Sequence, residues 1–115
     1  YRELPSNLCF TESNHQTALV HYLRKAIPSA AIQKEVQVSY RLSDDYIFGA
    51  GRIDILLTID DLCAILELKI DHSRKYNYRF AGQTNRYVKH YRTEKQKVGI
   101  IVIFGNCTPI VKVLP

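Results

Sequence analysis

The sequence has few cysteines and no long apolar run, and both absences narrow the class of protein. Its 115 residues contain three cysteines, Cys9, Cys63 and Cys107, at wide spacing and without a CxxC pair. We therefore expect no disulfide framework or zinc site, and a reducing intracellular setting. No segment approaches the roughly 20 apolar residues of a membrane-spanning helix, and residues 1–5 lack the apolar run of a secretion signal. One intracellular domain over residues 1–115, neither secreted nor inserted in a membrane, is the expectation.

The sequence also lacks an acidic excess. It has 16 Lys and Arg against 11 Asp and Glu, a net charge of +5, and an excess of this sign attracts polyanions, chiefly nucleic acid. The cationic residues are concentrated between Arg74 and Lys97, where Glu94 is the one acidic residue. Many globular domains are mildly basic, so this charge supports a nucleic-acid partner without establishing one.

Apolar spacing predicts a helix, three strands, a second helix and a fourth strand, in that order. These elements are expected at residues 11–26, 36–42, 52–59, 62–70, 77–91 and 98–104, with a short final strand at 111–114. Turns are expected at residues 43–45 and 49–51. The strand-helix-strand order near the end predicts a crossover that makes the fourth strand parallel to the third. The expected fold is α/β, a mixed sheet of antiparallel hairpin strands and a parallel last strand, flanked by helices.

Asp60-Asp61 is expected to close a two-residue hairpin loop between the second and third strands. In that register Asp54 lies directly opposite Glu67, and Lys69 follows on the same face. One face of the hairpin is then wholly apolar and carries Ile53, Ile55, Leu57, Ile59, Leu62, Ala64, Leu66, Leu68 and Ile70. The other face mixes polar and apolar side chains and carries Arg52, Asp54, Leu56, Thr58, Cys63, Ile65, Glu67 and Lys69.

The opposition of Asp54 and Glu67 points to a bound cation. Opposed side chains have Cβ atoms roughly 5 Å apart, and like charges there destabilise the pair. A divalent cation neutralises them, and Mg²⁺ is commonly held by one or two carboxylates. On this basis the removal of Asp54 should leave the fold intact or more stable. The alternative is a surface pair of Glu67 and Lys69 worth about 0–1 kcal/mol, but the apolar residues interleaved with them favour a buried site.

Three motifs resemble those of the PD-(D/E)XK nuclease superfamily. Gly51-Arg52-Ile53-Asp54 is followed by Glu67-Leu68-Lys69 on the paired strand and by Gln83-Thr84-Asn85-Arg86-Tyr87 on a helix. The resemblance covers residues 12–105, and within the superfamily the chain is most similar to small RecB-type and GxxExxR-type domains. Ile53 stands where the family name has Pro, a difference that many members share.

The resemblance implies a restriction-endonuclease-like αβββαβ core and a metal site. Asp54 and Glu67 would bind Mg²⁺ or Mn²⁺, with the backbone carbonyl of Leu68 as a further ligand. Lys69 would position or activate the attacking water and stabilise the charge that develops on the phosphorus centre.

Three further residues match family positions but also have structural interpretations. Glu12 matches an acidic helix residue that many members use as an extra metal or water contact, although the helix dipole alone favours an acid there. Gln83 and Tyr87 would face the metal site or the substrate, yet surface exposure of Gln83 and packing of the Tyr87 ring are alternatives.

The segment after Lys69 interleaves cations with aromatic residues, a combination that suits a phosphate backbone and stacked bases. A solvated loop is the competing interpretation, as is the solvated face of the second helix for its basic residues. The residues expected to contact nucleic acid are Arg74, Lys75, Tyr76, Arg79, Arg86 and Tyr87.

The expected function is metal-dependent hydrolysis of phosphodiester bonds, with DNA as the expected substrate and Mg²⁺ or Mn²⁺ as cofactor. One alternative is a nucleic-acid-binding module on the same fold without catalysis. Another is a structural or protein-interaction domain with a charged edge hairpin. The sequence does not decide between DNA and RNA or between endonuclease and exonuclease action, and a homodimer, which small nucleases use to cut two strands, is left open.

Overall fold

The computed structural model describes residues 12–41, 48–70, 78–104 and 110–114. Within these ranges the chain forms two helices and five strands. They follow in the order α1 (Glu12–Ala26), β1 (Ala31–Arg41), β2 (Phe48–Ile59), β3 (Leu62–Ile70), α2 (Tyr78–His90), β4 (Gln96–Phe104) and β5 (Ile110–Leu114). None of the helices in this part of the chain is long and apolar enough to cross a membrane.

The five strands form one mixed sheet in the order β1-β2-β3-β4-β5. Strands β3 and β4 are parallel, because α2 carries the chain back between them, and the other neighbouring pairs are antiparallel. Both the predicted α/β class and the parallel crossover are therefore confirmed.

One helix covers each face of the sheet, as the alternation of side chains along β3 requires. Ala64, Leu66 and Leu68 belong to an apolar cluster that contains Leu19 and Val20 of α1. Cys63 and Ile65, on the opposite face, pack in a second cluster with Tyr87 of α2. Cys63 is fully buried there, as expected of a small apolar filler.

The predicted hairpin register is confirmed over five residue pairs, from Ile59↔Leu62 to Ile55↔Leu66. Asp60 in the turn has φ 49°, a left-handed conformation that aspartate tolerates better than most residues. The two-residue loop therefore sets the pairing that brings the motif strands together.

Two predicted element boundaries are wrong. Strand β1 begins at Ala31 rather than at residue 36, because Lys34 interrupts the apolar alternation while its backbone still pairs with Ile55. Residues 49–51 lie inside β2 and not in a turn. The predicted turn at 43–45 lies outside the described residues.

Glu35 and Asp54 interrupt the ladder between β1 and β2. Lys34 pairs with Ile55 and Val36 pairs with Ile53, but the two residues between them form no pair. Glu35 has φ 55°, a left-handed conformation that is uncommon for any residue with a Cβ.

The two strands exchange faces at this interruption. Ile55 packs in the cluster on the α1 side of the sheet, whereas Ile53 packs in the cluster on the α2 side. Gly51 also faces α2, since a Cβ built on it would meet the ring of Tyr87. The assignment of Ile53 to the same face as Ile55 was therefore wrong, because strict alternation fails where the Glu35 backbone turns.

Candidate active site

Asp54 leaves the strand ladder and its side chain takes over a backbone role. The N–H of Leu68 donates to Asp54 Oδ2 at 2.8 Å. In a regular continuation of the hairpin that N–H would meet a carbonyl of β2, but the pairing of β2 with β3 stops at Ile55↔Leu66. The carboxylate thus bridges the gap between the two strands.

Glu67 is the most deeply buried carboxylate of the site, with 2% of its surface exposed. Its Oε1 is buried and has no hydrogen-bond partner among the described residues. Burial and then the negative charge of Asp54 raise the pKa of Glu67 to about 8, against the opposing charge of Lys69 and a hydrogen bond from the Asp54 N–H. At neutral pH the carboxyl group is thus held in a place that disfavours its ionised form.

Asp54 is less deeply buried than Glu67 and has more favourable interactions to offset its burial. Desolvation raises the pKa of its carboxyl group, whereas the Leu68 N–H and the Lys69 charge lower it. The two carboxyl groups share a hydrogen bond, and the site therefore titrates as a pair.

The residues present fit a divalent cation. The unpartnered Glu67 Oε1 is an oxygen ligand without a protein donor, and Asp54 adds a second carboxylate beside it. The N–H and C=O of one residue in a strand point to the same side, so the Leu68 carbonyl also faces the gap beside Asp54. Among the described residues no three His, Cys, Asp or Glu side chains gather as a metal site, and a Mg²⁺ ion that keeps several waters needs fewer.

Lys69 follows Glu67 on the same face of β3 and is half-buried. Its charge lowers the pKa of both carboxyl groups. The ammonium group is thus close enough to the pair to act on it electrostatically.

Gln83 and Tyr87 form a hydrogen-bonded pair one turn apart on α2. Gln83 is exposed and its Nε2 donates to Tyr87 Oη at 2.9 Å. Tyr87 is 2% exposed, and its ring lies over Gly51, where a Cβ would approach ring carbons to 2.8 Å. The packing interpretation of Tyr87 is supported, and its burial argues against the expected contact of its ring with nucleic acid.

Gln16 is a site residue that sequence reasoning missed. It lies in α1, is only 9% exposed, and its Nε2 donates to the backbone carbonyl of Asp54 at 2.7 Å. The sequence carried a signal, because Gln16 precedes Leu19 and Val20 in the buried stripe of the helix.

The remaining predicted residues are only partly within the described chain. Glu12 begins α1 and Arg79 lies in the first turn of α2, but neither side chain is among those described. Arg74, Lys75 and Tyr76 lie outside the described residues. Arg86 is exposed on α2, as a contact to a phosphate backbone requires.

Two of the cationic residues between Arg74 and Lys97 donate hydrogen bonds to backbone carbonyls of the fold. Lys97 Nζ donates to the carbonyl oxygens of Tyr91 at 2.9 Å and Lys89 at 3.3 Å, at the end of α2. Lys95 Nζ donates to the carbonyl of Asp60 in the hairpin turn. That turn is about 16 Å along β3 from Glu67, so the positive charge there serves the fold at the far end of the sheet.

The chain belongs to the PD-(D/E)XK nuclease superfamily, whose family model matches residues 1–113. Its fold is also similar to that in the crystal structure of SSO0001, with a TM-score of 0.68 and 17% sequence identity over 88% of this chain and 48% of that one. The chain therefore spans about half of the length of SSO0001, and the likeness concerns the fold alone. No curated protein matches the sequence.

Proposed function

We propose that this chain is a metal-dependent nuclease that hydrolyses phosphodiester bonds of DNA. Membership in a nuclease superfamily indicates nuclease activity in general. The observation that carries the proposal is the buried Glu67 Oε1, which finds no partner within the described part of the chain and lies beside a second carboxyl group and a lysine. Such a set is unfavourable as a structural element and favourable as a cation site.

In this proposal Asp54, Glu67 and the carbonyl of Leu68 hold Mg²⁺ or Mn²⁺. When bound, the cation polarises the scissile phosphate and lowers the pKa of a water molecule. The Leu68 N–H fixes the carboxylate of Asp54, so the cation meets ligands that are already placed.

Lys69 supplies a positive charge from the protein, in addition to that of the cation. Its ammonium group lies near the carboxyl pair and can donate to a phosphate oxygen or hold the attacking water. Preorganised charge of this kind is worth about 3–4 kcal/mol of transition-state stabilisation, so Lys69→Met should lower kcat by roughly a hundredfold or more.

Positive charge favours a nucleic-acid substrate. The net charge is +5, and Arg86 is exposed on the same helix as Gln83. Contacts of this kind weaken as the salt concentration rises, because binding releases condensed counterions.

The test is cleavage of supercoiled, linear and single-stranded DNA, and of RNA, with Mg²⁺, Mn²⁺ or EDTA. We expect DNA cleavage that requires the metal and falls at least a hundredfold in Glu67→Gln. The matched control is Glu94→Gln, which removes an exposed carboxylate near the end of α2 and should cut as the wild type does. Salt-sensitive DNA binding without cleavage would instead identify a binding module, and cleavage of RNA alone would refute the proposed substrate.

A further inference from the structure

Two residues outside the three sequence motifs contact the interruption of the sheet at Asp54, one from each side. From β1, Glu35 contributes a left-handed backbone with φ 55° directly across the unpaired position. From α1, Gln16 donates a hydrogen bond of 2.7 Å to the carbonyl that Asp54 no longer offers to a strand.

We propose that Glu35, through its backbone, and Gln16, through its side chain, are positioning residues. They hold Asp54 out of the strand ladder, so that its carboxylate reaches the Leu68 N–H and the proposed metal site. The placement of Asp54 is argued from the structure itself, and its consequence for catalysis rests on the proposed function. Neither residue touches the reacting atoms.

The energetic argument starts from the conformation of Glu35. A residue with a Cβ avoids the left-handed region, and β-branched residues avoid it most strongly. Such a conformation persists only where surrounding contacts hold it, and isolated examples concentrate at functional sites. In this molecule the face exchange of β1 and β2 occurs at the same level, between Ile53 and Ile55.

The side chain of Glu35 has a lesser part. Its Oε1 lies 3.7 Å from a guanidinium nitrogen of Arg52, and both side chains are more than half exposed. Exposed ion pairs contribute little to stability, so the backbone is the feature that we expect to matter.

Gln16 binds the backbone carbonyl of Asp54 at the interruption. A strand carbonyl that loses its ladder partner is costly when buried. The amide of Gln16 satisfies that carbonyl from within the apolar face of α1. The adjacent residue His15 stacks on Phe104, at the end of β4, with ring centroids 4.0 Å apart, and this contact fixes the position of the first turns of α1 on the sheet.

The primary test is amide hydrogen exchange of Leu68 by NMR in the metal-free protein, with Leu66 as the internal reference. Leu66 pairs with Ile55 in the regular ladder, so global destabilisation accelerates both amides, whereas a displaced Asp54 accelerates Leu68 alone. We expect the Leu68/Leu66 exchange ratio to be at least tenfold higher in Glu35→Val than in Glu35→Gly. Both variants lack the ion pair with Arg52, so their difference reports the backbone.

A second pair of variants tests Gln16. Gln16→Met keeps the length of the side chain but has no donor, and it should raise the same exchange ratio at least tenfold over the wild type. The matched controls are Thr17→Met on the exposed side of α1 and Gln37→Val on β1, both of which should leave the ratio unchanged. If Glu35→Val does not fold, Glu35→Ala replaces it, because alanine also has a Cβ that disfavours the left-handed region.

Mn²⁺ affinity, measured by calorimetry, separates this inference from the proposed function. We expect Glu35→Val to bind Mn²⁺ at least tenfold more weakly than Glu35→Gly. Equal Leu68/Leu66 ratios in Glu35→Val and Glu35→Gly, or an unchanged ratio in Gln16→Met, would overturn the positioning role. A wild type that binds no Mn²⁺ while the exchange ratios change as expected would instead overturn the metal-dependent function and leave the positioning of Asp54 supported.

Discussion

The buried carboxyl of Glu67 should make the metal-free protein less stable as the pH rises. The pKa of Glu67 in the folded protein is about 8, compared with 4.5 for an ordinary glutamate. The folded state therefore holds this proton more tightly than the unfolded chain does, and unfolding releases it. Stability is highest below pH 4.5 as far as this group is concerned, falls as the pH rises from there, and levels off above about pH 8.

The size of the effect follows from the width of that interval. One pKa unit corresponds to about 1.4 kcal/mol, so the shift of Glu67 amounts to roughly 5 kcal/mol at most. About 1 kcal/mol of this stability is lost by pH 5.5 and about 4 kcal/mol by pH 8, a difference of about 3 kcal/mol between the two conditions. That is a large fraction of the 5–15 kcal/mol that stabilises a typical domain.

Glu67→Gln should remove most of this dependence, because the amide cannot ionise and still offers a donor to Asp54. The assay is urea denaturation in EDTA at pH 5.5 and pH 8, with Glu94→Gln as the exposed control. The variant should gain about 3 kcal/mol over the wild type between the two pH values, and Mg²⁺ at pH 8 should stabilise the wild type and Glu94→Gln but not Glu67→Gln.

The comparison of variant with wild type cancels the titration of the groups outside the Asp54–Glu67 pair. If the difference between Glu67→Gln and the wild type grew by less than 1 kcal/mol from pH 5.5 to pH 8, the buried carboxyl would not be strained. The electrostatic argument for a cation would then fail.

Two other predictions concern the packing around the site. Gly51→Ala should lower the free energy of unfolding by about 1–3 kcal/mol, because the added Cβ would overlap the Tyr87 ring. Gly82→Ala, in open space on α2, should raise it by about 0.5–1 kcal/mol. The melting temperatures of the two variants should therefore shift in opposite directions. Asp54→Ala should lose about 1–3 kcal/mol in urea melts, because the Leu68 N–H loses its acceptor, whereas Asp54→Asn keeps an acceptor and should be the more stable of the two. Equal stability of the two Asp54 variants would show that the hydrogen bond to Leu68 contributes little.

The expectation for Asp54→Ala illustrates what the sequence could and could not predict. From the sequence Asp54 and Glu67 are two like charges in opposition, and removing one should do no harm. The structure adds the hydrogen bond from Leu68, which gives the same carboxylate a stabilising role. Charge and register can be inferred from a pattern, but the replacement of a ladder bond by a side chain cannot.

The hairpin register was predictable because its signals are local. A two-residue loop fixes the pairing of β2 and β3, and the apolar residues around it confirm the alternation. The exchange of faces was not predictable, since Ile53 and Ile55 are both apolar and occupy positions of the same parity. Its backbone distortion falls on Glu35, a residue type that gives no warning of a left-handed conformation.

Gly51 shows the opposite error, in which a strong local signal was given the wrong meaning. Glycines at positions 49 and 51 predicted a turn, yet both lie in β2. A glycine inside a strand also marks a place where another group approaches the backbone closely. The approaching group is the ring of Tyr87 from α2, which no property of β2 alone could indicate.

At the interruption, side chains of the candidate site and of α1 form the hydrogen bonds that the strand ladder lacks. The Leu68 N–H is bound by the Asp54 carboxylate, the Asp54 carbonyl by Gln16, and the Asp54 N–H by Glu67. These three backbone groups, which the broken ladder releases, are therefore satisfied by side chains, as burial demands. Among the described residues, Glu67 Oε1 is the buried side-chain oxygen that remains without a partner. A cation at that oxygen would supply the partner that no described residue provides, and this is the physical basis of the proposed metal site.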